Sequence, residues 1–495
     1  MASQLNNQLH FVLIPLMSPG HQIPMIDMAK LLAIHGIVVT IVTTPQNAIN
    51  FTSTIQLSVQ SGLKIQLLQL QFPATESGLP AGCENMDKLP SRSLIRNFFI
   101  AASMLQQQFE RVFHTLKPRP SCIISGKNLP WTVETARKFK IPRIFFDAMG
   151  CFSFSCSNKL ETSRVHENLS KFETFIVPDL PHRIELSQAK LPESLSPDSK
   201  DLSDVRDSLR AAETIPDGIV VNTFEELEKE YVTEYIKVKG NNVWCVGPVS
   251  ASNKLNLDRA ERGKKASIDE THLLKWLDMQ EPESVIYACL GSICGLTSLQ
   301  LVELGLGLEA SNQPFIWVIR ESEKSEGINK WIVDECFEER NKEKGLIIRG
   351  WSPQVLILSH KSIGGFLTHC GWNSTLEGVT AGVPIVACPL FAEQFLNEKL
   401  VVEVLRIGVS VGVEAAVAWG LEDEVGLLMK REQVKKAIEM VMDEGEEGEE
   451  RRKRAKEFSC MAERAIEEGG SSYHNMEMLI QYVSSRVEST ELLDY

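Results

Sequence analysis

The sequence predicts an α/β protein made of two doubly wound parallel-sheet domains, and three observations carry that expectation. Short runs that are apolar on both faces alternate with helix-length segments, the alternation comes as two separate series, and a polar stretch without apolar periodicity divides them. Strands apolar on both faces are buried on both faces, which in βα alternation means a parallel sheet covered by helices on each side. A length of 495 residues, 43% apolar and 23% charged, suits two or three ordinary domains better than one core.

The first series opens with HFVLIPL (10–16), a helix expected over 23–34, and GIVVTIVTT (36–44). It continues through the runs at 121–126, 142–148 and 217–224. VSASNKLNLDRAERGKKASID (249–269) is the expected linker. The second series comprises the run at 284–292, a helix over 298–311, and strands at 314–320, 345–351, 363–369 and 383–389. The expected organisation is a first domain over 1–248, the linker over 249–269 and a second domain over 270–465. Segments 74–93 and 178–203, rich in Pro, Ser and Gly, read as long surface loops.

A net charge of −14, from 51 basic and 65 acidic residues, gives no general attraction for nucleic acid or anionic lipid. The eleven cysteines contain no CxxC pair, and the nearest spacings, Cys151/Cys156 and Cys289/Cys294, sit in apolar runs. They read as buried thiols of a reducing compartment, with neither a disulfide framework nor a zinc site. The first residues lack the basic region of a signal peptide, and no run of about 18 apolar residues is present to span a bilayer. The expectation is a cytoplasmic protein, monomeric and without a membrane span.

Residues 351–394 read WSPQVLILSHKSIGGFLTHCGWNSTLEGVTAGVPIVACPLFAEQ. IGGFLTH is a strand, HCGWNST its exit turn, and Ser374 to Ala381 the start of a helix. Such a turn offers free backbone N–H groups and a positive dipole end to a phosphate, and His369 could add a donor. Glu377 follows Ser374 by three, which fits a capping box or, equally, a carboxylate accepting from ribose hydroxyls. Trp351 fits either a core residue or a face on which a base stacks.

This 44-residue segment resembles the donor-binding signature of plant family-1 UDP-sugar-dependent glycosyltransferases, with SPGH at 18–21, WLD at 276–278 and YACLGS at 287–292 in support. The resemblance implies two facing Rossmann-like domains of the GT-B type, with the acceptor mainly in the first and UDP-sugar mainly in the second. A C-terminal helix at about 470–487 would pack back across the first domain. It implies that Trp351 stacks on uracil, Gln354 helps hold the uridine, and Glu377 binds the ribose hydroxyls. His369, Asn373, Ser374 and Ser292 would bind the diphosphate, while Trp372, Glu393 and Gln394 would face the sugar. A terminal Gln goes with UDP-glucose as donor, no cofactor is implied, and the GHQIPM and FAEQF patterns resemble the branch acting on triterpenoids, steroids and flavonoids. No DxD-like carboxylate cluster marks the donor region, in agreement with a metal-independent, inverting transfer.

Transfer needs a base for the acceptor oxygen. His21 stands at a strand-to-helix turn, where ligand sites of doubly wound folds lie, and its side chain titrates near neutral pH. It could instead merely cap the helix; the resemblance makes it the base. The family pairs that histidine with an aspartate after the CIIS strand, but here Gly126 stands in CIISGKNLPW. Three readings follow: Asp147 substitutes, the acceptor is acidic enough to need no partner, or the chain is a weak or altered enzyme. Phe98, Phe99, Phe146, Phe152 and Phe154 could line an apolar acceptor pocket or pack in the core. Competing classes are a non-catalytic nucleotide-sugar binder and, remotely, a Rossmann-type oxidoreductase, whose GxGxxG is missing after the first strand.

Overall fold

A computed structural model describes residues 8–195, 203–213, 217–240, 242–293, 295–320 and 326–491. The strands in chain order are β1 (His10–Ile14), β2 (Val38–Thr43), β3 (Ile65–Gln69), β4 (Cys122–Ser125), β5 (Arg143–Asp147), β6 (Thr174–Ile176), β7 (Glu185–Ser187), β8 (Gly218–Val221) and β9 (Val243–Cys245). Then come β10 (Val285–Cys289), β11 (Phe315–Ile319), β12 (Gly345–Arg349), β13 (Ile363–Thr368), β14 (Ile385–Ala387) and β15 (Gly408–Ser410).

A seven-stranded parallel sheet has the order β3-β2-β1-β4-β5-β8-β9, and a six-stranded parallel sheet the order β12-β11-β10-β13-β14-β15. Both are doubly wound, with strand order reversing between β1 and β4 in the first and between β10 and β13 in the second. Crossover helices must diverge at such a reversal, leaving a crevice at the carboxyl ends of the strands. The central strands owe their place to composition: Phe11–Ile14, Ile123 and Ile124, Val285–Tyr287 and Phe366–Leu367 are all fully or almost fully buried. β6 and β7 form a separate antiparallel hairpin.

The structure departs from the sequence expectations in definable ways. The helix expected from residue 23 begins at Pro19, a favoured first position, so His21 lies in its first turn instead of the turn before it. β3, β9 and β15 were not expected. β3 and β15 lie at sheet edges, and β3 (IQLLQ) carries Gln66 and Gln69, both exposed, so it lacks the two-sided apolar signature. The expected linker is partly ordered, with a helical turn at Val249–Ser252 and a short helix at Asn256–Ala260. Loop 178–203 includes β7, and its residues 196–202 lie outside the described residues. Cys336 and Cys460 are exposed, correcting the expectation that the thiols are buried; Cys294 lies outside the described residues. Among the described residues, no helix is long and apolar enough to cross a membrane.

Helix Ser471–Glu491 packs on the first sheet. It delivers Met476, Leu479 and Val483 into the core that contains Phe11, Ile41 and Ile124. Ser472 donates to the Gly247 carbonyl at 2.5 Å and Tyr482 to that of Asp217 at 2.9 Å.

Leu479 has 0% exposure, so truncation to alanine leaves a cavity beneath the sheet. Leu479→Ala should destabilise the protein by about 2–5 kcal/mol, read as a lower urea midpoint at an unchanged slope. A midpoint equal to that of the parent chain would show that the helix adds nothing to this core.

Candidate active site

The two crevices open toward one another, and together they enclose a cleft of about 780 Å³ lined from both halves. His21 and the residues after β4 line one side; the turns after β10 and β13 line the other.

The second-half wall is built on glycines. His369, at the end of β13, is clasped by Gly291 and Gly371: a Cβ on either would lie 2.6 Å and 2.5 Å from its Nε2. Gly291 also has φ +81°, a second reason for glycine. Burial lowers the His369 pKa to about 4, so the ring is neutral at physiological pH. Two non-glycine residues, Cys370 (φ 61°) and Ala392 (φ 53°), hold the left-handed conformation in the two turns facing the cleft, where backbone strain commonly serves a site. Helix Trp372–Thr380 starts beside His369 with Gly371 as N-cap. Asn373 and Ser374 therefore lie in its first turn, near the positive end of the dipole, and Ser292 lines the same space.

The capping-box reading of Glu377 fails, because Gly371, not Ser374, caps the helix and no side chain caps it. Both Glu377 carboxylate oxygens are held instead: Oε1 by Arg262 Nη1 at 2.5 Å, Oε2 by Gln354 Nε2 at 2.7 Å. Gln354 also donates to Ser374 Oγ at 3.1 Å and accepts from the Tyr287 hydroxyl at 3.4 Å. The Trp351 amide donates to Ser267 Oγ and its carbonyl accepts from the Ser267 amide, and its indole lies against Gly263, with Lys264 Nζ 5.9 Å from the ring centre. Trp351, Gln354, Ser374 and Glu377 are thus brought together.

Trp372 is 2% exposed; its N–H donates to the Asn222 carbonyl at 2.8 Å and its ring packs on Gly150. The indole is a joint between the halves as well as part of the cleft wall. Asn373 Nδ2 donates to the Gly20 carbonyl at 2.7 Å, a second bond across the cleft. Gln394 Oε1 accepts from the Leu390 and Phe391 amides at 2.9 and 3.1 Å, so what it can offer a ligand hydroxyl is its NH2 group. Burial raises the Glu393 pKa, with backbone amides and the Lys127 cation opposing.

On the first-half wall, burial and the neighbouring Lys127 cation lower the His21 pKa to about 4. Its Nε2 lies 3.1 Å from the Asn128 side-chain nitrogen, and its Nδ1 is buried without a partner. A Cβ at Gly126 would sit 3.9 Å from His21 Cδ2, so the position at which the resemblance implies a carboxylate adjoins the ring and holds none. Asp147 does not take over that place. Its carboxylate is held by the Tyr235 hydroxyl at 2.7 Å and the Met149 amide at 3.1 Å, while the ring nitrogen that an orienting carboxylate would grip stays unpaired. Phe98 and Phe152 are fully buried in core clusters, Phe99 and Phe154 pack against them, and of the five phenylalanines only Phe146 lines the cleft. Asn128 and Arg262 were missed from the sequence; the cluster of Arg259, Arg262, Lys264 and Lys265 in a supposed linker was the available signal.

Residues 265–443 match the family described as UDP-glucoronosyl and UDP-glucosyl transferase. The chain is 50% identical over 480 residues to UDP-glycosyltransferase 73C3 of Arabidopsis thaliana, covering 97% of each. It is similar in structure to Glycyrrhiza uralensis UGT73P12 complexed with glycyrrhetinic acid 3-O-monoglucuronide, at TM-score 0.91 and 36% identity over 98% of both chains. It is also similar to Arabidopsis thaliana UGT89C1 complexed with UDP-L-rhamnose, at TM-score 0.73 and 29% identity over 96% of this chain and 99% of that one. With half of its residues identical to such an enzyme over 97% of its length, and with its cleft between two doubly wound sheets, this chain belongs to the plant family-1 UDP-glycosyltransferases, enzymes of the GT-B fold.

Proposed function

We propose that the chain transfers glucose, with inversion, from UDP-glucose to a hydroxyl or carboxyl oxygen of a small apolar plant metabolite, and that His21 is the base. The observation that carries this reading is the position of His21 across the cleft from the helix start at Trp372, with the Glu377–Gln354–Trp351 group on the same wall. Trp351 takes the uracil face, Gln354 and Glu377 the uridine, and Glu377 the ribose hydroxyls. His369, Asn373, Ser374 and Ser292 take the diphosphate, whose growing charge as the bond to C1 breaks meets amide donors and a helix dipole, so no metal is required. Trp372, Glu393 and the Gln394 NH2 face the sugar. A hydroxyl acceptor attacks C1 as its proton passes to His21, a carboxyl acceptor attacks as the carboxylate already ionised at neutral pH, and in either case UDP departs with the bonding pair. The reaction takes place in the cytoplasm.

Acceptor class follows from the state of His21. A ring with pKa about 4, beside Lys127 and without a carboxylate, is a weak base that gains little from becoming a cation. Such a base suits an acceptor oxygen that is already acidic. This supports phenols, as in flavonoids, and carboxylic acids, such as acidic triterpenoids, over aliphatic alcohols. Glycyrrhetinic acid 3-O-monoglucuronide in the structural relative supports an acceptor of that size. A non-catalytic sugar-nucleotide binder would release no UDP in the presence of any acceptor.

His21→Ala should lower kcat by about 10²- to 10⁴-fold with a phenolic acceptor and leave calorimetric UDP binding within experimental error; equal turnover in both proteins would remove His21 from the chemistry. The pH profile tests the same ring. Because the neutral form is the base and the pKa is lowered, kcat/KM should stay level from neutrality down to about pH 5 and fall near pH 4, where an ordinary histidine would fall near 6.5. Gly126→Asp should move that limb upward and raise kcat with an aliphatic alcohol. An acid limb already near 6.5 in the parent chain would contradict the lowered basicity.

A further inference from the structure

We propose that Arg262, in the segment joining the two halves, is a positioning residue for the donor nucleotide: it sets the Glu377 carboxylate for the ribose and ties it to the helix that carries His21. This rests on the reading of Glu377 as the ribose site. Arg262 is 9% exposed and makes two short ion pairs in opposite directions. Nη1 reaches Glu377 Oε1 at 2.5 Å in the second half, and Nε reaches Asp27 Oδ2 at 2.7 Å in helix Pro19–Ile34 of the first. Asp27 is 1% and Glu377 6% exposed. A planar guanidinium with donors on both edges can serve two carboxylates at once; an ammonium cannot match that geometry.

The surroundings show that the position is built. Asn253 donates to the other Asp27 oxygen at 2.8 Å, and Lys30 donates to Asn253 at 2.8 Å, so Asp27 is itself fixed on both oxygens. Gln354 holds the far oxygen of Glu377. The carboxylate plane of Glu377 is therefore set by one contact from its own half and one from the linker, and each oxygen keeps a lone pair for a ribose hydroxyl. Burial alone would weaken the Arg262 proton, but the two carboxylates more than offset it and raise its pKa. Without Arg262, two carboxylates would be left buried without their cation, and Glu377 could bind a hydroxyl only at the cost of holding an unpaired charge. The next linker residues, Gly263 and Lys264, lie against Trp351, so the same segment touches both the base-stacking and the ribose positions.

The full chain would be compared with Arg262→Gln, Arg262→Lys, Asp27→Asn and Glu377→Gln by calorimetric UDP binding, by KM for UDP-glucose and for a phenolic acceptor, and by Tm. Arg262→Gln should weaken UDP binding and raise the UDP-glucose KM by roughly tenfold or more, with the acceptor KM changed by less than about twofold. Arg262→Lys should recover part of that loss, and Asp27→Asn should fall between the parent chain and Arg262→Gln. A lower Tm with unchanged UDP affinity would reduce Arg262 to a structural tie and overturn the proposal. Tighter UDP binding in Arg262→Gln would also overturn it, since the arginine would then compete with the ribose. If Arg262→Gln does not fold, unchanged UDP affinity in both Arg262→Lys and Asp27→Asn overturns it. Weakened binding in Glu377→Gln beside unchanged binding in Arg262→Gln refutes this inference alone; unchanged binding in both refutes the ribose reading with it.

Discussion

The site depends on how firmly the start of helix Trp372–Thr380 is pinned to the opposite half. Trp372 donates to the Asn222 carbonyl and Asn373 to the Gly20 carbonyl, so adjacent residues at the positive end of that helix are bonded to the first half. Gly20 precedes His21 directly. The distance between His21 and the start of this helix is therefore fixed by backbone-anchored bonds at one helix turn, in addition to the core that the two halves share. Transfer chemistry rewards this, because a misplacement of about 1 Å between reacting groups can cost on the order of 10² in rate.

The charge of the cleft runs against the charge of the chain. The whole sequence carries −14, yet seven Lys and Arg side chains and four Asp and Glu line the cleft, a local balance of +3. A surface that repels anions in general with an inner wall that attracts them focuses an anionic ligand toward one place. Arg262, Lys264 and Arg320 are committed to protein partners, so part of this field is fixed in orientation before any ligand contributes its own charge.

Trp351, Gln354, His369 and Glu377 could be picked out together because they lie within one continuous stretch of 44, where a strand, a turn and a helix start follow in order. The central strands were legible because burial on both faces leaves an unbroken apolar run. β3 was not, since an edge strand has one wet side, and β9 and β15 are only three residues long. His21 could be placed at a sheet edge, but its neighbour Asn128 lies 107 positions away, and Arg262 lies 115 positions from Glu377. No local period links such pairs; only the closing of the two sheets does. Asp147 was the informative failure. It was expected just after a strand and is instead the last residue of β5, where Tyr235, 88 positions later, holds its carboxylate.

The return of helix Ser471–Glu491 to the first sheet means that the chain crosses between the halves twice, once through 249–269 and again along helix Glu446–Ile466, which packs on helix Trp372–Thr380 of the second half and on helix Glu225–Lys239 of the first. One crossing would act as a swivel, free to twist and tilt. Two crossings tether each half at two points of the chain, which restrains twisting of one against the other. A single proteolytic cut in 249–269 would therefore leave the halves joined through the second crossing.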